Sequence, residues 1–190
     1  MQHVLAVVAA YLIGSVNFGI IVATSRGIDI RSVGSGNPGT SNVLRVLGKK
    51  LAAVVLLGDA LKGVAAAAIG VAVGEPVFGY VTLAAAVVGH SFPIWHKFMG
   101  GKSVATALGG FVYLAPVVGL VLAVIWIALL LIWKTASVAS LVSMLLVVPA
   151  LALAGRETDE LLWAGAIALF VIVRHAGNIR DLASRSERTV

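Results

Sequence analysis

Gly34-Ser35-Gly36-Asn37-Pro38-Gly39-Thr40-Ser41-Asn42-Val43-Leu44-Arg45 is a run of small and hydroxylated residues leading into an apparent helix start. Glycines admit positive φ and close approach of backbone N–H groups, and a helix amino end favours an anion. Ser35, Asn37, Thr40 and Asn42 add side-chain hydrogen bonds and helix caps. Arg45, six residues past Gly39, is placed to close over the same anion with a bidentate fork. A plain tight turn uses the same Gly, Asn and Pro residues, but it does not account for the row of hydroxyls and Arg45 together. Gly34-x-Gly36-x-x-Gly39 also matches the dinucleotide fingerprint letter by letter. That reading fails on context, because no strand leads in and no βαβ unit surrounds it.

A second stretch, Gly89-His90-Ser91-Phe92-Pro93-Ile94-Trp95-His96-Lys97-Phe98-Met99-Gly100-Gly101-Lys102-Ser103, has the same character. A helix should break at Pro93 and resume after Gly100 and Gly101, leaving Lys97 and Lys102 as cations and His90 as a group able to take a proton. Gly101-Lys102-Ser103 matches the end of a P-loop, but His96 stands where that motif needs glycine. Phe92, Trp95 and Phe98 suit a loop seated in a membrane interface. The third cluster is Arg174-His175-Ala176-Gly177-Asn178-Ile179-Arg180. A juxtamembrane basic anchor explains its arginines, but not His175 or Asn178. Asp59 and Lys62, three residues apart, share one helix face. They form either a mutually neutralising structural pair or a pair in which Asp59 positions other polar groups and Lys62 faces the site. No role is assigned to His3 or His96.

The elements that must position these groups follow from composition. Apolar residues make up 60% of the 190, charged residues only 12%, and mean hydropathy is +1.05. The charges cluster between apolar runs instead of following the polar faces of helices. Lipid is the expected solvent, and an all-α integral membrane bundle is the expected fold. The net charge of +6 fits anionic headgroups or phosphate substrates better than nucleic acid. With no cysteine there is no disulfide, thiol catalysis or thiolate metal site. No metal and no cofactor is expected.

Expected spans are Val4 to Thr24, Leu51 to Val73, Val77 to Pro93, two short helices within Val104 to Trp133 separated near Pro116, Ser137 to Ala154, and Leu161 to Val173. These make seven, or five or six if Pro116 only kinks one helix. The opening residues lack a positive n-region, so the first span is expected to be retained with its amino end outside. The carboxyl end is then cytoplasmic, and of 14 cations only Lys62 and Arg156 fall outside the cytoplasmic loops. All three clusters lie on that one face. No internal repeat stands out, and a single domain over 1–190 is expected.

On these motifs the chain resembles the bacterial acyl-phosphate:glycerol-3-phosphate acyltransferase family. The resemblance rests on Gly14-Ser15, Asp29-Ile30-Arg31, Gly34 to Gly39, Asn42 to Arg45, Asp59-x-x-Lys62-Gly63, Gly89-His90-x-Phe92-Pro93, Phe98-x-Gly100-Gly101-Lys102 and His175-x-x-Asn178-Ile179, in order along nearly the whole chain. Ser103, Ala176, Asp181 and Arg185 depart from the family pattern. The resemblance implies seven spans in the bacterial inner membrane, an acyl-phosphate donor, glycerol 3-phosphate as acceptor, and lysophosphatidic acid and phosphate as products.

Acyl phosphate is already an activated anhydride, so orientation and charge stabilisation supply much of the acceleration without an acyl-enzyme. Ser35, Arg45, His90 and Lys102 are the expected catalytic set. Gly34, Gly36, Asn37, Gly39, Thr40, Asn42, Asp59, Lys62, Lys97, Gly100, Gly101, His175 and Asn178 are the expected substrate-binding set. His90, His175 or the substrate's own phosphate is the candidate base. Membrane lipid and an upstream acyl-phosphate-forming enzyme are expected partners of a monomer. A transporter for phosphorylated solutes is the rival class, but it needs polar groups at mid-membrane, and these spans carry few beyond Asn17, Asp59 and Lys62.

Overall fold

Runs of Ala, Leu, Val and Ile satisfy their backbone in lipid as helices, and a computed structural model describing residues 1–190 contains helices and no strand. In order these are α1 (Gln2–Ser15), α2 (Phe18–Thr24), α3 (Thr40–Leu47), α4 (Lys49–Val73), α5 (Pro76–Ser91), a 3₁₀ turn (Ile94–His96), α6 (Val104–Leu114), α7 (Pro116–Trp133), α8 (Ala136–Leu153), α9 (Thr158–Arg174) and α10 (Ala176–Ala183). Five segments are long and apolar enough to cross a membrane, and α9 with α10, bent by 56°, makes a sixth. At 11 residues α6 is shorter, roughly 16 Å against a hydrocarbon core of about 30 Å. The fold is therefore an all-helical membrane bundle with five or six candidate spans. The break near Pro116 is a reversal, since α6 and α7 pack against each other. Pro116 opens α7, where its missing N–H is no loss.

The first span, expected as one helix over Val4 to Thr24, is broken between Ser15 and Phe18. Asn17 causes the restart: its side chain accepts a hydrogen bond from Ile20 N at 3.1 Å and caps α2. The break leaves the Val16 carbonyl free, and Lys62 Nζ donates to it at 2.7 Å. The same ammonium donates to His90 Nδ1 at 2.7 Å and lies 2.9 Å from Asp59 Oδ1. An ammonium has donors only, so Nδ1 of His90 accepts and its ring hydrogen sits on Nε2. Asp59 Oδ1 makes a close charge contact without an aligned hydrogen bond. Lys62, Asp59 and His90 are all buried. One cation thus ties the α1/α2 break, α4 and α5 together.

Close helix contacts surround this tie. Gly63 on α4 lies where any Cβ would strike the Thr106 backbone of α6, and Gly14 on α1 lies likewise against the Ala86 backbone of α5. The larger apolar core, with Tyr80, Leu83, Phe111, Leu122, Met144 and Leu151, fills the space among α5 to α9. A smaller one of Ile20, Ala23, Ile30, Val43, Ala52 and Val55 lies under the segment joining α2 to α3 and holds it against α4.

Removing one member of a buried charge set strands the others, at a cost of about 3–5 kcal/mol. Lys62→Met therefore lowers the thermal midpoint in detergent more than any single substitution of an exposed lysine such as Lys50. Gly63→Val separates α4 from α6 and costs about 1–3 kcal/mol, whereas Gly165→Ala, which meets only a Val148 methyl at 3.4 Å, leaves the midpoint unchanged.

Candidate active site

The loops after α2, before α6 and after α9 converge on one cavity of about 540 Å³. Its mouth is polar, formed by Ser35, Asn37, Gly39, Thr40, Asn42, Arg45, Lys102, His175, Asn178, Glu187 and Arg188. Its inner part is apolar: Leu56, Leu57 and Ala60 from α4, Leu108, Gly109 and Val112 from α6, and Ala123, Trp126 and Ile127 from α7. α6 packs against both α4 and α7 and forms the back wall. Leu57 and Ile127 are exposed on the outer surface, so the apolar part lies beside the lipid-facing side of the bundle. This space suits an amphiphile with an anionic head and an apolar tail.

The first loop owes its shape to Asn42. Its buried side chain accepts from Ser35 N at 2.8 Å and donates to Ile30 O at 3.1 Å and Val33 O at 3.0 Å. Gly34 and Gly36 take the positive φ the loop requires, 62° and 71°. Expected helix capping is absent here. The residue before α3 is Gly39, which has no side chain to cap with, and Asn42, inside the helix, is spent on the loop. The amino end of α3, with Thr40 and Ser41, is left facing the cavity. Arg45 Nη1 donates to Asn42 Oδ1 at 3.4 Å, while Nε and Nη2 donate to Thr189 O at 3.1 and 2.9 Å.

The second loop is held by a hydroxyl pair. Ser103, at φ 65°, donates to Val87 O at 2.7 Å and lies 2.8 Å from Ser91 Oγ. Gly100 N and Gly101 N donate to Ser91 O and His90 O, each at 3.1 Å, so the glycines fold against α5. Gly101 is where a Cβ would run into His90 Nε2. Lys102 projects into the cavity and donates to Asn178 Oδ1. Burial holds the Lys102 ammonium below the usual lysine range, with Arg174 and Arg45 adding to that and Glu187 and Asp181 opposing it. Burial and the neighbouring Arg188 lower Arg45 likewise.

Asn178 gives Oδ1 to Lys102 because its amide nitrogen donates to both Glu187 oxygens, at 2.9 and 3.1 Å. His175 Nδ1 lies 2.8 Å from Val171 O. A carbonyl only accepts, so the hydrogen is on Nδ1 and Nε2 of the neutral ring is left as an acceptor.

Of the residues expected from the motifs, Ser35, Asn37, Gly39, Thr40, Asn42, Arg45, Asp59, His90, Lys102, His175 and Asn178 line this one cavity. Gly34, Gly36, Gly100 and Gly101 shape its loops. Lys62 is turned into the buried charge set instead of the cavity. Lys97 is exposed at a left-handed turn, φ 55°, and does not line it. Glu187, Arg188 and Thr189 belong to none of the sequence motifs, nor do Ser137, Ser140 and Trp126 on the apolar side, where Trp126 Nε1 donates to Ser140 Oγ at 3.0 Å. Ser137, Ser140 and Ser143, spaced three apart on α8, are the sequence signal for the first two. The segment after α10 offered none beyond its charges.

Residues 4–185 match the family model described as glycerol-3-phosphate acyltransferase. The glycerol-3-phosphate acyltransferase of Thiobacillus denitrificans is 42% identical over 100% of this chain and 98% of its own, and that of Rubrobacter xylanophilus is 41% identical over 99% and 95%. Two crystal structures of PlsY, described as an integral membrane glycerol 3-phosphate acyltransferase, superimpose over 100% of this chain. The glycerol 3-phosphate form has a TM-score of 0.95 and 37% identity, covering 96% of that chain; the lysophosphatidic acid form has 0.92 and 36%, covering 95%. With matching sequence along its whole length and a matching fold, the chain belongs to the glycerol-3-phosphate acyltransferase family.

Proposed function

We propose that this protein transfers a fatty acyl group from acyl phosphate to the 1-hydroxyl of glycerol 3-phosphate, releasing lysophosphatidic acid and phosphate. The observation that carries the reading is the cavity itself, in which a cationic mouth continues into an apolar cleft beside the lipid-facing surface. Both substrates bear phosphate and one bears a lipid tail. Arg45, Lys102 and the uncovered amino end of α3 meet the phosphates, with Ser35 and Asn37 as uncharged donors. The cleft between α4 and α7 takes the chain.

The glycerol hydroxyl oxygen attacks the acyl carbonyl carbon, the bond from that carbon to the bridging phosphate oxygen breaks, and its electron pair leaves with phosphate. The hydroxyl proton ends on phosphate, directly or relayed by His175 Nε2. His90, with Nδ1 occupied by Lys62, holds the second loop in place. No covalent intermediate on Ser35 is involved.

The chain is a single domain over 1–190 and a monomer, crossing the bacterial inner membrane seven times: α1 with α2, then α4, α5, α6, α7, α8 and α9. The amino end is outside and the site faces the cytoplasm. The gathering of the cation-bearing loops at one end supports this sidedness, and the cleft's position lets an upstream acyl-phosphate-forming enzyme deliver through the bilayer.

Purified protein given palmitoyl phosphate and glycerol 3-phosphate should release phosphate and form lysophosphatidate in equal amounts; no release overturns the reading. Label from radioactive acyl phosphate should leave no acyl group on the protein. Arg45→Ala and Lys102→Ala should each lower kcat/KM by about tenfold or more, the worth of a charge-assisted bond to phosphate. Lys102 acts as a cation, and its lowered pKa means the charge is lost as pH rises, before an ordinary lysine would lose it. Activity should therefore fall on the alkaline side, and Lys102→Arg should move that fall to higher pH.

A further inference from the structure

Three cations face the mouth of the cavity, and the third comes from the short segment after α10. Arg188 lines the cavity and donates through Nη1 to the Gly34 carbonyl, in the loop that also presents Ser35. Arg45 is close enough for the two guanidiniums to repel. None of Arg45, Lys102 and Arg188 is in an ion pair, since the pairs in the protein are Arg31–Asp29, Lys62–Asp59, His90–Asp59 and Arg156–Glu160. Two carboxylates line the same cavity, Glu187 and Asp181, and Glu187 is held by the Asn178 amide. Arg45 and Arg188 bond only neutral oxygens: Asn42 Oδ1, Thr189 O and Gly34 O. A guanidinium carries five donors in a fixed fork, and Gly34 occupies one nitrogen of Arg188. Glu187 and Asp181 offset part of this charge from a distance, but neither forms an ion pair with the three cations, whose mutual repulsion an anion seated among them would relieve.

We propose that Arg188 is a further phosphate-binding residue of this site, acting with Arg45 across the Gly34–Thr40 loop. This rests on the acyl-transfer reading for the identity of the ligand, which is the phosphate group of glycerol 3-phosphate or of acyl phosphate. The chemistry is the same for both. A bidentate guanidinium on a phosphate adds ground-state affinity, so its loss raises KM more than it lowers kcat. The Gly34 contact alone predicts something else, a loosened loop in which any side chain able to donate to that carbonyl restores function.

The test is a set of three variants, Arg188→Ala, Arg188→Gln and Arg188→Lys. Each is titrated with glycerol 3-phosphate at saturating palmitoyl phosphate, and with palmitoyl phosphate at saturating glycerol 3-phosphate. Arg188→Ala and Arg188→Gln should both raise one of the two KM values by about tenfold, equivalent to about 1.4 kcal/mol, with kcat within about twofold of the parent. Arg188→Lys should recover part of the loss, and the KM that moves identifies the phosphate concerned. Wild-type behaviour of Arg188→Gln, or both KM values unchanged in Arg188→Ala, overturns the proposal. Thermal stabilisation by inorganic phosphate supplies a readout independent of turnover. It should be present in the parent and in Arg188→Lys and be largely lost in Arg188→Ala and Arg188→Gln. Equal stabilisation of all four proteins refutes the role of Arg188 even if acyl transfer is confirmed, and its selective loss upholds that role even if the acyl-transfer assay fails.

Discussion

Lys62 carries its ammonium into the interior of the bundle, where an unpaired charge is among the most expensive things a membrane protein can hold. What neutralises it is drawn from three places: the carbonyl left free at the α1/α2 break, Asp59 one turn earlier on the same helix, and His90 near the end of α5. Because each partner belongs to a different segment, the charge is satisfied only when the three are docked in one arrangement. The break in the first helix, α4 and the end of α5 are held together by that arrangement. A buried charge set adds little net stability compared with apolar packing, but its geometry is demanding. Here that demand falls next to the cavity, where Asp59 and His90 form part of the wall.

The cavity mouth works on the opposite principle. Arg45, Lys102 and Arg188 are left without carboxylate partners, and Arg45 and Lys102 are each disfavoured as cations by burial. Their charge is thus available to a ligand at little reorganisation cost, which is how preorganised electrostatics stabilises developing or transferred negative charge. Of the two acids among them, Glu187 and Asp181, Glu187 is directed at Asn178 and sets which end of that amide faces Lys102. The short α6 links this polar mouth to the membrane. Its 11 residues carry the wall between α4 and α7 without filling the space in front of it, leaving an apolar cleft continuous with the polar loops at the mouth.

Most of the polar set was legible from local patterns. Gly34, Gly36, Ser35 and Arg45 announce an anion loop because positive φ, free N–H groups and a fork at helical distance are properties of a short stretch of chain. Lys102 after two glycines, and His175 with Asn178 after a span, are read the same way. Lys97 does not line the cavity. Its neighbours resemble those of Lys102, but the 3₁₀ turn over Ile94–His96 and the left-handed turn at Lys97 point it away from the cavity. Asn42, one of the caps expected near α3, instead organises the whole loop, a role visible only once Ile30, Val33 and Ser35 stand around it.

The sequence by itself determined that this is a helical membrane protein and which three polar loops stand apart from its spans, loops that converge on one cavity, because composition and short-range spacing decide solvent and local backbone. Only the tertiary structure decided the rest: that the first span breaks at Asn17, that Lys62 turns inward to His90 while Lys102 turns to the cavity, and that Glu187 and Arg188 reach back to Asn178 and Gly34. These choices depend on contacts between residues up to 154 positions apart. A helix end or a charge cannot encode its partner at that distance; the packing of α4, α5, α6 and α9 selects it.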